Sequence, residues 1–474
     1  MNTPINVPNL PIEDQGILKE RLETFIKDLS NFFNKEKIEE IAKETNFVER
    51  ESKVTGLLFL SILVFGTSMY GNPTLEQLIG LLNVYVKEID LSRPGLHQRI
   101  NDEAVAFFER VLSLAVNRSI PDQLKINVPA QFPGIQIWDS TAFQLPPGLA
   151  PFFVGKGGSA SPAGAKLQFC YDLNRHQWSY VLQSATEADN SMADAIVARA
   201  QPGDLVLNDL GYFNVETFAA LHEKGAYYLS RLKHDVNIYQ QDETRAFRYY
   251  EDLPTLLRHQ QIETRVELAV LIRSKHNVFT PTRLIIERLP AQAVNERLRK
   301  LHQEARSRGR QLSDEAILLA GFNFYVTNAP GNLLPASCCR FLYGIRWQVE
   351  LVFKTWKSHF QIHKIHVKHR PQRVKVTIWG KLIFITLTAQ AIRLTTAFLW
   401  LTSQLEVSYY RAARHFQTVA ERWFARICSG EDTIFAVLQD AVAFIQQHSF
   451  KIPQSDRMYP LEMLQVFGDL ILTR

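Results

Sequence analysis

Five side chains between residues 342 and 357 fall on one narrow stripe if that segment is helical, at about 100° per residue: Tyr343, Arg346, Glu350, Lys354 and Lys357. Leu342, Ile345, Val349, Val352, Phe353 and Trp356 fill the adjoining face. One side of such a helix packs on a sheet, while the next offers a carboxylate flanked by a phenol and three cations. A Glu with a Lys four residues on is an ordinary helix-stabilising pair. That accounts for Glu350 with Lys354 and leaves Tyr343, Arg346 and Lys357 unexplained. Two further acids close short apolar runs far upstream, Asp139 after Ile135-Gln-Ile-Trp and Asp209 after Leu205-Val-Leu-Asn. Carboxylates are hard oxygen donors suited to divalent cations such as Mg²⁺. Arg grips phosphate as a fork and Lys as a point charge.

The two aspartates sit in a β-β-β-α-β-α-β pattern. Strand character covers 135–139, 166–173 and 177–184, the last two as a hairpin around Asn174-Arg-His, then 204–209 and 226–232. Helical character covers 191–200 and 213–224. In such a sheet the first and fourth strands can lie side by side, which brings Asp139 and Asp209 together. Residues 233–320 interrupt this core with strand character over 264–273 and 280–287 and a basic helix over 291–308. Strand character resumes at 322–327, and the Glu350 helix begins near Arg340.

The flanking regions are helical. Leu18, Leu22, Phe25, Ile26 and Leu29 recur at helical spacing, as do Val105, Phe108, Val111 and Leu112. Thr74 with Gln77 three residues on reads as a capping box. The polar segment 90–100 reads either as the recognition element of a helix-turn-helix or as an ordinary surface helix. A proline-marked linker over 120–134 closes this unit. Helices over 407–424 and 433–447 carry Phe416, Val419, Trp423, Phe435, Leu438 and Val442, which suit either a subunit contact or burial within one chain.

The 474 residues are 46% hydrophobic and 21% charged, with 30 Phe, so a sizeable core is expected rather than disorder. The net charge of +5 is a mild hint of a polyanionic partner. Its placement says more. From Leu351 to Lys375 no Asp or Glu occurs, while Lys354, Lys357, Lys364, Lys368, Arg370, Arg373 and Lys375 do, which reads as a phosphate track. The histidines among them lack a Cys partner and zinc-motif spacing. Cys170, Cys338, Cys339 and Cys428 form no CxxC pattern and read as free thiols of a reducing cytosol. The N-terminus has neither a basic region nor an apolar run, so no signal peptide is expected. The most apolar stretches, 56–66 and 382–392, are each too short to span a bilayer.

With these residues in view, Tyr343-x2-Arg346-x3-Glu350-x6-Lys357 resembles the signature of DDE transposases of the insertion-sequence IS-four family, and Trp347 and Lys354 fit the same helix. Trp138-Asp139-Ser140-Thr141 resembles the first block of that family and Asn208-Asp209-Leu210-Gly211-Tyr212-Phe213 its second. The resemblance runs from about Ile135 to Ala389. It implies an α/β core, an RNase H-like mixed sheet with flanking helices, interrupted by a β-rich insertion. The expected units are a helical DNA-binding region over 1–120, core over 133–232, insertion over 233–320, core again over 321–400, and a helical region over 401–474. It also implies a bacterial insertion-sequence transposase acting in the cytoplasm at the nucleoid. Such an enzyme cuts double-stranded DNA at transposon ends by two-metal hydrolysis, with Mg²⁺ or substituting Mn²⁺, and joins the 3′-OH ends to target DNA. Asp139 would bridge the ions and Asp209 and Glu350 would each hold one. Tyr343, Arg346, Trp347, Lys354, Lys357, Lys364, Lys368 and Arg370 would contact DNA, and a homodimer would coordinate two ends.

In some relatives an insertion tryptophan replaces a flipped base during hairpin formation. No Trp occurs here between Trp178 and Trp347; of Tyr239, Phe247, Tyr249, Tyr250 and Phe279, the last, in the turn around Asn277, suits such a wedge best, and it suits covering the small core of the insertion at least as well. Two other readings are a catalytically silent, transposase-derived DNA-binding protein and another RNase H-like nuclease. The intact triad argues against the first; the Tyr-Arg-Glu-Lys helix and the large insertion argue against the second.

Overall fold

The computed structural model describes residues 12–50, 52–87, 89, 91–118, 131–233, 236–241, 247–249, 253–259, 264–430 and 434–451. The described residues open with the α-helices α1 (Ile12–Ser30), α2 (Lys35–Glu44), α3 (Gly56–Tyr70), α4 (Leu75–Tyr85), α5 (Arg93–Arg99) and α6 (Asp102–Val116). The expected capping box starts α4: Gln77 N–H donates to Thr74 Oγ1, and the Gln77 side chain accepts from Thr74 N–H. Next come β1 (Ile135–Leu145), β2 (Ala163–Asp172), β3 (Gln177–Ser184), α7 (Ala193–Arg199), β4 (Leu205–Asn208), α8 (Val215–Glu223) and β5 (Tyr227–Arg231). The interrupting segment supplies β6 (Ile238–Gln241), β7 (Phe247–Tyr249), α9 (Leu253–His259), β8 (Arg265–Arg273), β9 (Phe279–Arg288), α10 (Ala291–Ser307) and α11 (Asp314–Ala320). The chain returns through β10 (Phe322–Thr327), α12 (Ala336–Ile345) and α13 (Trp347–Ser358), then α14 (Pro371–Ser403), α15 (Tyr409–Ser429) and α16 (Ile434–His448).

The strands form one mixed sheet in the order β3-β2-β1-β4-β5-β10-β9-β8-β6-β7. The insertion therefore prolongs the core sheet through β9 on β10. β1 and β4 are adjacent and parallel, as expected, with Trp138 opposite Asn208. β1 was expected to stop at Asp139, yet it continues to Leu145 because β2 pairs with it as far as Ala163. Side chains alternate across the sheet. Ile137, Phe169, Leu205 and Leu207 join the core beneath α12, α13 and α14, whereas Trp138, Cys170, Val206 and Tyr228 join a second core with α7 and α8.

α14 is 33 residues long and α3 is apolar all round, a pattern that suits helices enclosed by others. α14 contains the 382–392 stretch and, against the expectation from that stretch alone, has the length and composition to cross a bilayer. Its most apolar part is 83% buried within the protein, packed by α3, α6, α1 and α15, so it is a core helix. Trp423 of α15 meets Phe33 and Phe65 edge-on and Phe384 of α14 at a tilt, and Phe65 of α3 meets Phe384 edge-on. Phe416, Val419, Trp423, Leu438 and Val442 are likewise buried in this body. These five are spent inside one chain, while Phe435, named with them, is only partly buried.

α14 also fixes the segment after α13. Ile362, Ile365 and Val367 are buried, while Lys364, His366 and Lys368 between and beside them face solvent. Lys381 of α14 is fully buried, and its Nζ donates to the carbonyls of Gln361 (2.8 Å) and Lys364 (3.3 Å). Burial pushes its ammonium down to about 7. The unfolded chain keeps that proton up to the ordinary lysine range, so folding stability rises with pH from about 7 towards 10. Lys381→Met should flatten the rise in Tm over that interval; an unchanged slope would assign the effect to other groups.

Candidate active site

Asp139, Asp209 and Glu350 come from three segments and meet around one guanidinium. Asp139 lies one residue beyond the Trp138–Asn208 pair, and Asp209 directly follows β4, so both aspartates turn to the same face. α13 packs on that face through Val349, Phe353 and Trp356, with Phe169 touching both rings. Glu350, in the first turn of α13, completes the set.

Arg346 Nη1 lies 3.0 Å from Asp139 Oδ2. Its Nη2 lies 3.1 Å from Glu350 Oε1 and 3.6 Å from Asp209 Oδ1. The Arg346 side chain is 10% exposed and that of Asp139 14%, against 45% each for Asp209 and Glu350. Burial pushes Asp139 up to about 6, although Arg346 and the Ser140 N–H pull the other way. The Tyr343 ring lies 5.5 Å from the guanidinium carbon, and burial raises its hydroxyl to about 12.

The continuous helix expected from near Arg340 is interrupted. α12 ends at Ile345, α13 begins at Trp347, and Arg346 between them makes two i to i+3 bonds, Arg346 N–H to Tyr343 O (3.2 Å) and Val349 N–H to Arg346 O (3.0 Å). Tyr343 and Arg346 are consequently buried, not displayed on an open stripe. Lys354 and Lys357 line an open cavity of about 620 Å³ with the three acids, Ser140, Thr141 and Arg346. Trp347 opens α13, but its side chain lies outside the described residues. Lys364 and Lys368 are exposed on the extended segment and do not line the cavity. Arg370 is committed to the fold, its Nη1 donating to the carbonyls of His97 (2.6 Å) and Ile100 (3.4 Å). That contact sets α5 at the end of the basic segment, with Arg93 of α5 paired to Glu76 of α4 at 2.8 Å. Phe279 is not a turn tip: it opens β9 and packs edge-on against Tyr239 at 5.3 Å, leaving Lys275, His276 and Asn277 at the exposed bend.

Sequence reasoning missed a second polar cluster behind β1, made by Ser140, Lys166, Gln168, Asp189 and Tyr212. Its one signal was a lysine and a glutamine in an otherwise apolar strand; Asp189 itself had none.

The donor chemistry of the three acids fits hard divalent cations. Arg346 stands between them, and among the described residues no three Asp, Glu, His or Cys side chains stand close enough to hold an ion together. The guanidinium meanwhile offsets three like charges. Arg346→Met should destabilise the fold by on the order of 3 kcal/mol at pH 8, less than for a fully buried set because two of the acids are half-exposed. Without the guanidinium Asp139 holds its proton to still higher pH, so the loss should shrink as pH falls from 8 towards about 6 and stay small below it. Urea unfolding at pH 5 and pH 8 checks this, and an equal loss at both would contradict it.

The arrangement is one that comparison with known proteins makes specific. Residues 130–387 match the family model described as the transposase DDE domain. Over 413 residues the chain is 32% identical to the transposase for insertion sequence element IS231F of Bacillus thuringiensis subsp. israelensis, covering 83% of this chain and 85% of that protein. It is 28% identical over 474 residues to the transposase for element IS231B of Bacillus thuringiensis subsp. berliner, with 97% of both chains covered. With the transposase for element IS1151 of Clostridium perfringens it shares 23% identity, covering 95% of this chain and 97% of that protein. This chain belongs to the DDE transposases of insertion sequences, DNA-binding enzymes that use divalent metal ions to cut and join DNA.

Proposed function

We propose that this transposase binds the terminal inverted repeats of its element, hydrolyses phosphodiester bonds at the ends and joins the resulting 3′-OH groups to target DNA, with Asp139, Asp209 and Glu350 as catalytic carboxylates. The observation that carries the reading is the convergence of these three acids on Arg346, at a cavity also lined by Lys354 and Lys357. The transposase acts in the bacterial cytoplasm, at the nucleoid.

The donor set suits two Mg²⁺ ions, with Mn²⁺ as a substitute. When bound, such ions supply concentrated positive charge for the attacked phosphate and the leaving oxygen. Asp139, the most enclosed acid and the nearest to Arg346, would hold both ions, and Asp209 and Glu350 would each hold one. The protein's own groups place the substrate. Lys354 and Lys357 offer point charges to the phosphates beside the scissile bond, and Arg346, freed from the acids, offers a fork. Tyr343 packs against Arg346 and limits its swing. Lys364 and Lys368 extend the track along the duplex, and α5 carries it towards the terminal repeat. Water is the first nucleophile and the 3′-OH the second, so no side chain forms a bond to DNA. Two ends must be cut in concert, and a homodimer on paired ends meets that need.

Asp139→Asn, Asp209→Asn and Glu350→Gln keep side-chain size while removing the charge that holds a cation. Each should abolish nicking of a labelled terminal-repeat duplex in Mg²⁺ and leave the affinity for that duplex within about twofold. Full cleavage by any one of them would remove that residue from the catalytic set.

A further inference from the structure

A single carboxylate behind the sheet touches the surroundings of both catalytic aspartates. Ser140 stands opposite Gln168 in the β1–β2 register, and Ala142 opposite Lys166, on the face turned away from α13. Lys166 is 9% exposed and Gln168 1%. Three donors meet one oxygen there. Asp189 Oδ1 accepts from Ser140 Oγ (2.8 Å), Lys166 Nζ (2.9 Å) and Gln168 Nε2 (3.2 Å). Lys166 Nζ also donates to the carbonyl of Glu187, and the Tyr212 hydroxyl donates to Gln168 Oε1. The other oxygen of Asp189 lies against Gly211, where a Cβ would come within 2.6 Å of it, so the turn after Asp209 has no room for a side chain at this point.

We propose that Asp189 is a positioning residue that fixes the separation of Asp139 and Asp209. It binds the residue directly after the first acid and abuts the residue two places after the second. Through Gln168 it also reaches Tyr212, whose N–H in turn donates to the carbonyl of Asp209 (3.0 Å). β1 and β4 pair only as far as Trp138 and Asn208, so the ladder ends just short of both acids. The Asp189 cluster continues the connection past that point. Groups behind a metal site that orient its ligands commonly contribute 10–100-fold to affinity or activity. The proposal rests on the reading of Asp139 and Asp209 as catalytic acids.

The test uses the full chain with Asp189→Asn and with the charge-balanced pair Asp189→Asn/Lys166→Gln, which leaves no buried ammonium without its acid. Mn²⁺ affinity is read by electron paramagnetic resonance without DNA, nicking by kcat and KM on a terminal-repeat duplex, and folding by Tm. The expected result is a Mn²⁺ Kd weakened about 10–100-fold and a comparable fall in kcat, with KM and the Tm of the paired variant close to the parent's. Ser140→Ala should give a smaller loss that does not add to that of Asp189→Asn. A folded paired variant with unchanged Mn²⁺ Kd and kcat would overturn the proposal, as would parallel losses of Tm, KM and kcat in both variants. Unimpaired cleavage and Mn²⁺ binding by Asp139→Asn would instead sink the triad reading, an outcome distinct from either.

Discussion

The arrangement depends on placing three carboxylates at one spot and keeping them there. Two unit charges 4 Å apart interact by about 4 kcal/mol at an effective dielectric constant of about 20, so clustered acids need a cation. In this chain Arg346 provides it, bonding Asp139 and Glu350 and standing 3.6 Å from Asp209. The break between α12 and α13 leaves Arg346 buried at the carboxylate site. In the proposed reaction the same guanidinium would become available to a phosphate once divalent cations take over the charge balance. One residue thus links the stability of the site to its chemistry.

The rest of the fold supports that point. The β1–β4 register aligns the aspartates, the Phe169–Phe353–Trp356 contacts seat α13 on the sheet, and the buried helix α14 carries both α13's continuation and the flanking helices. Lys381 holds the basic segment from inside, and Arg370 ties its end to α5, so the cations outside the cavity sit on a backbone anchored from within. The insertion, joined through β9 and β10, makes the sheet wider, and none of its described residues lines the acid cavity.

Much of this was legible in the sequence because it depended on local pattern. The strands Gln177–Ser184 and Phe322–Thr327, the Thr74 cap and the order of the core elements follow from periodicity and turn residues. The three acids and the Tyr-Arg-Glu-Lys spacing stood out for the same reason. What was not legible depended on partners far away in the chain. β1 runs on through Ser140 and Thr141 because β2 continues to pair with it, which polar residues conceal. The break at Arg346 keeps the i to i+4 relation to Glu350, so spacing alone reads it as unbroken helix. The aromatic faces of α15 and α16 looked equally suited to a subunit contact until α3 and α14 were seen to cover them. Asp189 lies in a polar loop and acquires its partners only when the sheet assembles.

Asp139, Asp209 and Glu350 are proposed to form one divalent-cation site from which Arg346 withdraws. Anomalous scattering from crystals soaked in Mn²⁺ tests it most directly. Peaks are expected about 2.0–2.4 Å from carboxylate oxygens of all three acids, with the Arg346 guanidinium displaced towards Lys354 and Lys357. Peaks absent from this cluster, or bound there with Arg346 still bridging Asp139 and Glu350, would contradict it.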